Sequence, residues 1–226
     1  DLPLETSISY EYVGLENPLF SIMVALSLII EFMIMKLCQV IFLSKYYVKI
    51  ISRRYFLSTR NVHVIPSGSF PHLISPSPPR SAGGLLLLYS GSALKCNNFG
   101  RLIDCVERVR LKGYDVKLVH SGPTYISIEK KHWLRHVNAP SWLNFIENTL
   151  KECDICLVPY PPRGHWNIGH LAKVFDYMAA GKPVLSMNLA ETGRILTQFK
   201  CGLIAHDWNE FAENIIFLYE NRELAT

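Results

Sequence analysis

From Leu85 onward, apolar runs of strand length alternate with longer segments that carry a single apolar stripe. The runs at 85–89, 155–159 and 183–187 are almost unbroken, as expected of strands with both faces covered. Residues 115–120 and 203–205 read as further strands. Helical periodicity spans 98–111, with Phe99, Leu102, Ile103, Val106 and Val109 on one side. It also spans 141–152, where Trp142, Phe145, Ile146 and Leu150 face inward. Helices are also expected over 128–136 and 191–199. The last helix starts at Asp207 with Glu210 three residues on, a capping box, and buries Phe211, Ile215, Ile216 and Leu218. Alternating strands and helices predict an α/β domain built on a parallel sheet.

The pattern before Leu85 is different. Residues 1–17 are polar and irregular, whereas 19–43 is the most apolar stretch of the chain. Its length suffices for a membrane span, but Glu31 and Lys36 fall inside it, and charges at that depth are costly. It reads as a buried or interfacial helix to about Cys38, followed by a short core strand. Ser44 caps a helix over 45–55, residues 61–65 form a strand, and Pro66-Ser67-Gly68 ends it. Pro71, Pro76, Pro78 and Pro79, among several serines, make 69–84 a semi-rigid linker. The expected organisation is therefore a partial N-terminal segment over 1–68, the linker, and a domain over 85–226.

Composition narrows the class. Of 226 residues, 49% are hydrophobic and 19% charged, enough for a sizeable core and against wholesale disorder. The net charge of +4 is spread along the chain, which argues against a nucleic-acid partner. The first residue is Asp1 and no signal-peptide pattern follows, which reads as a fragment or a processed chain. Six cysteines in mostly apolar surroundings fit reduced thiols of a cytoplasmic protein. Cys153 and Cys156 form a C-x-x-C without a second pair, so they read as buried thiols rather than a metal site. His132 and His136, four apart on the expected helix, lack the glutamate of a zincin and read as surface histidines. Neither a G-x-G-x-x-G nor a Walker pattern occurs, against a dinucleotide oxidoreductase or an NTPase.

The segment 171–185 carries the candidate chemistry. Leu171, Val174, Phe175, Met178 and Ala179 make an apolar helical stripe, Gly181 ends the helix and Pro183 prevents its resumption. Lys173, Asp176 and Tyr177 lie off the stripe, three and four residues apart, on one face. A lysine in the first turn, beside free backbone N–H groups, suits a phosphate. A carboxylate one turn later can accept from sugar hydroxyls. A merely solvated Lys/Asp pair has the same spacing. Gly91, Gly122 and the glycine-bearing loop 160–170 fall at strand ends, where open α/β sheets bind ligands.

The run K-V-F-D-Y-M-A-A-G-K-P-V-L, residues 173–185, closely resembles the K-x-F-[ED]-Y-M-A-A-G-K-P-V segment of the group-1 retaining nucleotide-sugar glycosyltransferases. V-I-F-L-S-K-Y-Y and V-H-V-I-P-S-G resemble the end of that family's N-terminal domain. The likeness, over roughly 40–224, implies the GT-B fold. That means a Rossmann-like parallel sheet with helices on both faces, preceded by a partial acceptor-side α/β segment. It implies transfer of a sugar from a nucleoside-diphosphate sugar to an acceptor hydroxyl, with retention, no metal and no further cofactor. The acceptor would be a glycan or a lipid-linked molecule, reached from the cytoplasm, with a peripheral membrane contact through 19–43.

The same resemblance distributes roles along the chain. Lys173 would hold the diphosphate and stabilise the leaving group. Asp176, in place of the second glutamate of E-x7-E, would hold the ribose hydroxyls. Gly91 and Ser92 would lie near the phosphates, with Lys95 standing in for a missing basic residue. Gly122 and Pro123 would lie near the base. Val174 and Tyr177 belong to the same donor segment, and Glu191 falls where the family often has a glutamate. Two positions depart from the pattern: Ile168 replaces the first glutamate, and Ser92 replaces an arginine. These departures keep two alternatives open, a non-catalytic nucleotide-sugar-binding or partner subunit and a GT-B epimerase or phosphorylase relative.

Overall fold

Two parallel sheets organise the computed structural model, which describes residues 18–56, 61–77 and 83–225. Residues 1–17, and residues 78–82 of the expected linker, lie outside the described residues. Helix α1 (Pro18–Leu37) leads into β1 (Val40–Phe42), and α2 (Lys45–Tyr55) connects β1 to β2 (Val62–Val64). The two strands pair in parallel with Ile41 opposite His63. Ser44 caps α2 as predicted, its hydroxyl accepting the Tyr47 N–H at 3.0 Å. The same hydroxyl donates to the Ile168 carbonyl, which ties this segment to the second sheet.

The α1 helix forms where expected but is not buried. Met35 packs against the small core of Phe42, Ile51 and Tyr55, while Ile22, Met23, Leu26, Ile29, Ile30 and Met33 are each at least 50% exposed. Sequence apolarity marked the helix, but nothing in the described chain covers most of it. Among the described residues, no helix is long and apolar enough to cross a membrane.

The large sheet contains β3 (Leu85–Ser90), β4 (Val116–Ser121), β5 (Leu134–Val137), β6 (Ile155–Val158), β7 (Val184–Met187) and β8 (Gly202–Ala205). All six run parallel in the order β5-β4-β3-β6-β7-β8. Helices α3 (Phe99–Leu111), α4 (Trp142–Asn144, continuing as a π-helix through Leu150), α5 (Gly164–Ile168), α6 (Ala172–Ala179), α7 (Ala190–Phe199) and α8 (Trp208–Glu220) complete the domain. Leu87, Leu88, Leu118, Val119, Ile155 and Leu157 are wholly buried, because helices cover both sheet faces. Successive residues of β3 show this directly. Tyr89 meets Phe99 of α3, ring centroids 5.1 Å apart, and Ser90 meets the Tyr177 hydroxyl of α6 at 2.5 Å. Strand order reverses between β3 and β6, creating a topological switch point at their carboxyl ends.

Four expectations need correction. Residues 128–136 do not form a helix; the chain there ends in edge strand β5, with His136 in register with His120. Pairing with β4 decides the conformation of a stretch whose own periodicity is ambiguous. The loop 160–170 contains the short helix α5. Trp142 is exposed rather than inward-facing. The Pro/Ser-rich segment is docked rather than tethering over 69–77: Ile74 is buried in the main core. The Ser77 N–H donates to the Ala180 carbonyl at 3.3 Å. The buried Lys182 ammonium donates to the carbonyls of Ser77 (3.2 Å) and Lys151 (3.1 Å).

Local signals elsewhere held. Asp207 caps α8 through the N–H groups of Asn209 and Glu210, while Glu210 takes the N–H of His206 at 2.6 Å instead of that of Asp207. Cys153 and Cys156 are free and buried, and desolvation pushes the Cys153 thiol up to about 12.

Candidate functional site

The carboxyl ends of β3 and β4 meet the start of α6 in a cleft of about 290 Å³, lined by Ser90, Ser121, Trp142, Phe145, Lys173 and Asp176. Two roomier hollows lie elsewhere, about 440 Å³ around His120 and His136 and about 320 Å³ around Lys182 and Cys201. Neither contains Lys173 or Asp176, so the chemistry selects the smaller cleft. Two glycines follow the strand ends that line it. Gly91 follows β3 with φ 139° and Gly122 follows β4 with φ 142°, a region that side chains rarely adopt. A Cβ on Gly122 would run into the Gly91 carbonyl. The two turns are stitched together by Gly91 N–H to Ser121 O and Ala93 N–H to Pro123 O, both 2.8 Å.

Lys173 lies in the first turn of α6, half-buried, with its ammonium reaching over the end of β3. It donates to the Ser90 carbonyl and to the Tyr160 hydroxyl, the latter at 2.6 Å. The ammonium also sits 5.4 Å from the Tyr89 ring centroid and 4.9 Å from that of Tyr160. A Cβ on Gly91 would come within 2.6 Å of it, so the glycine leaves room for the cation. Asp176, one turn later, has a partner on each oxygen: Ser69 Oγ at 2.5 Å and Trp142 Nε1 at 3.1 Å. Two donors fix the plane of the carboxylate and leave further lone pairs for other donors. Phe70 meets Trp142 edge-on at 5.7 Å, so the start of the 69–77 segment packs against residues that line the cleft.

The other predicted residues divide. Tyr177 is not on the polar face: it is fully buried and bonds Ser90 from beneath. The buried stripe of α6 runs through Val174, Tyr177 and Ala180, rotated from the expected one, because the phenol finds a hydroxyl partner inside. Val174 is core, and its N–H is already used by the Leu171 carbonyl. The Ser92 carbonyl accepts from Tyr89 and Asn97, each at 2.9 Å, which shapes the turn after β3. Pro123 is exposed beside Gly122, and Lys95 is exposed and does not line the cleft. Ile168 is buried, so the position of the missing glutamate is apolar.

Glu191 is committed elsewhere. It bonds His170 Nε2 and Arg194 Nη2, both at 2.7 Å, and does not line the cleft. Burial alone would raise its carboxyl; the bonds from Arg194 and His170 outweigh it and hold the group below its ordinary value. His170 Nδ1 accepts the Ser67 N–H at 3.1 Å, so Nε2 carries the proton given to Glu191. Sequence reasoning missed Ser69, Trp142, Tyr160 and His170. Tyr160 stands directly after a strand run at the sheet's ligand-binding edge, the one signal that was available; the other contacts arise from distant segments.

A six-stranded parallel sheet covered by helices, with its strand order reversing between β3 and β6, is the architecture of one half of a GT-B protein, and solved structures agree in fold. TarM aligns with TM-score 0.63 at 16% identity, over 82% of this chain and 37% of its own. WaaG, a glycosyltransferase involved in lipopolysaccharide biosynthesis, aligns with TM-score 0.64 at 14% identity, over 83% and 55%. Sucrose-phosphate synthase of Thermosynechococcus elongatus aligns with TM-score 0.69 at 16% identity, over 97% and 57%. The chain thus spans between about a third and somewhat over half of these proteins' lengths. No curated protein matches it by sequence. The family profile described as "Glycosyl transferases group 1" matches residues 84–221, more than half of the chain. The chain belongs to this family of sugar-transferring enzymes.

Proposed function

We propose that the cleft binds a nucleoside-diphosphate sugar and that the protein transfers the sugar to an acceptor hydroxyl, with retention and without a metal. The convergence of the Lys173 ammonium and the Asp176 carboxylate in one cleft at the carboxyl ends of β3 and β4 carries this reading. The ammonium, with the α6 N-terminus behind it, faces the position of a diphosphate and offsets the charge that develops as the sugar departs. Its two neutral partners, the Ser90 carbonyl and the Tyr160 hydroxyl, aim the group without neutralising it. The Asp176 carboxylate, held by Ser69 and Trp142, accepts from ribose hydroxyls through its remaining lone pairs. TarM, similar in fold, has been solved with UDP.

Thermal shift with UDP, GDP, ADP and their sugars tests the donor site. A true ligand raises the melting temperature with concentration, as mass action requires. If no nucleotide shifts it at millimolar concentration, the reading fails. A second reading, binding without turnover, is favoured by the buried apolar Ile168 at the expected glutamate position. Donor stabilisation without sugar transfer or hydrolysis would select it. The acceptor is proposed to be a glycan or lipid-linked molecule, with α1 resting on the membrane surface through its exposed Ile22, Leu26, Ile29 and Met33. Failure of the protein to sediment with lipid vesicles would remove the membrane part of the proposal.

A further inference from the structure

Both backbone polar groups of Gly91 are held by β4, one by its backbone and one by a side chain. The Gly91 N–H donates to the Ser121 carbonyl at 2.8 Å. Its carbonyl takes a hydrogen bond from His120 Nε2, also at 2.8 Å. His120 points away from the cleft, opposite to Ser121, and is 1% exposed. Its ring stacks on Tyr89 at 5.7 Å and lies 4.7 Å from Phe99. A carbonyl can only accept, so Nε2 carries the proton and Nδ1 is left as an acceptor. His136 Nδ1, 3.1 Å away on β5, supplies the proton that fills it. Burial holds the imidazole below its ordinary value, against the opposing Gly91 bond, and His136 and Lys173 add to the lowering. The neutral ring is therefore locked in one tautomer.

This arrangement solves an electrostatic problem. Gly91 has no side chain to fix its turn, and its φ of 139° lies where glycine alone moves freely. A carbonyl swung toward the cleft would present negative charge beside Lys173, where the proposed diphosphate sits. The buried imidazole holds that oxygen against the turn after β4, on the side of the His120 ring. We propose that His120 is a positioning residue of the donor site, which anchors the Gly91 carbonyl away from the cleft so that the turn after β3 tolerates a diphosphate. His136, which orients the ring, supports it. The proposal rests on the donor-site reading above.

The test compares His120→Phe with His120→Gln, whose amide nitrogen stands about as far from Cβ as Nε2 does. Affinities are measured by calorimetry for the nucleoside diphosphate that the wild-type protein binds best among UDP, GDP and ADP, and for its nucleoside. His120→Phe is expected to weaken the diphosphate about three- to tenfold, one ordinary hydrogen bond, and to leave the nucleoside unchanged. His120→Gln is expected to restore most of the loss. Hydrogen exchange read without ligand should quicken in peptides covering 90–93 of His120→Phe and not elsewhere. Equal weakening of nucleoside and diphosphate, undiminished diphosphate binding, or unchanged exchange at 90–93 would each overturn the proposal. If His120→Phe does not fold, His120→Asn, polar but too short to reach the carbonyl, takes its place with the same expectations. If the wild-type protein binds no nucleotide, the donor-site reading fails, and the exchange measurement still decides whether His120 holds the turn.

Discussion

Replacing Lys173 with methionine removes the cation while keeping most of the side chain's length. The structure sets two opposing consequences. In the free protein the ammonium loses its bonds to the Ser90 carbonyl and the Tyr160 hydroxyl and its place between the Tyr89 and Tyr160 rings. Each neutral-partner bond contributes about 1 kcal/mol net, but the thioether no longer carries a half-buried charge away from water. The two effects largely cancel, leaving a loss of about 1 kcal/mol, or about 2–4 °C in melting temperature for a chain of this size. With a diphosphate bound, the lost bond is charge-assisted on both sides and contributes about 1.5–3 kcal/mol, about 10- to 150-fold in affinity. Calorimetric titration of wild type and Lys173→Met with the preferred nucleoside diphosphate and with its nucleoside separates these effects. Diphosphate affinity should collapse and nucleoside affinity should persist. A diphosphate affinity within twofold of wild type would show that the lysine does not face the phosphates.

Three further expectations follow from the same geometry. Gly122→Ala forces a side chain into the Gly91 carbonyl at φ 142°; a cost of about 2–3 kcal/mol should lower the melting temperature by about 4–12 °C. Tyr177→Phe keeps the buried ring but deletes the hydroxyl on Ser90; thermal melts should show a loss of about 1–2 kcal/mol. Glu191 has a lowered carboxyl pKa, so its contribution to stability is complete above its unfolded value, near 4.5, and disappears as pH falls through the folded value. Melting temperatures followed from pH 7 to pH 3.5 should therefore fall more steeply for wild type than for Glu191→Gln; parallel curves would show that the Arg194 and His170 bonds do not stabilise the charge.

Much of the framework was legible along the chain because its causes are local. Ser44 caps α2 and Asp207 caps α8 through N–H groups two or three residues away. The apolar runs became buried parallel strands because covering both faces demands that composition. Even the shared cleft of Lys173 and Asp176 follows from helical spacing, since residues three apart project from one face. Where the reading went astray, the deciding contact lay far off. The phenol of Tyr177 turned inward because Ser90, on another strand, offers it a hydroxyl. Residues 134–137 became a strand because β4 lay alongside.

The sequence by itself determined the alternation of strands and helices, the glycine turns at the strand ends, and the lysine–carboxylate spacing, all of which depend on residues within a turn or two of each other. Only the tertiary structure decided which of those groups meet. Ser69 and Trp142 reach Asp176, Tyr160 reaches Lys173, and His120 reaches Gly91 across the sheet. Such contacts depend on strand order and register, which no local periodicity encodes, and they give the cleft its charge and shape.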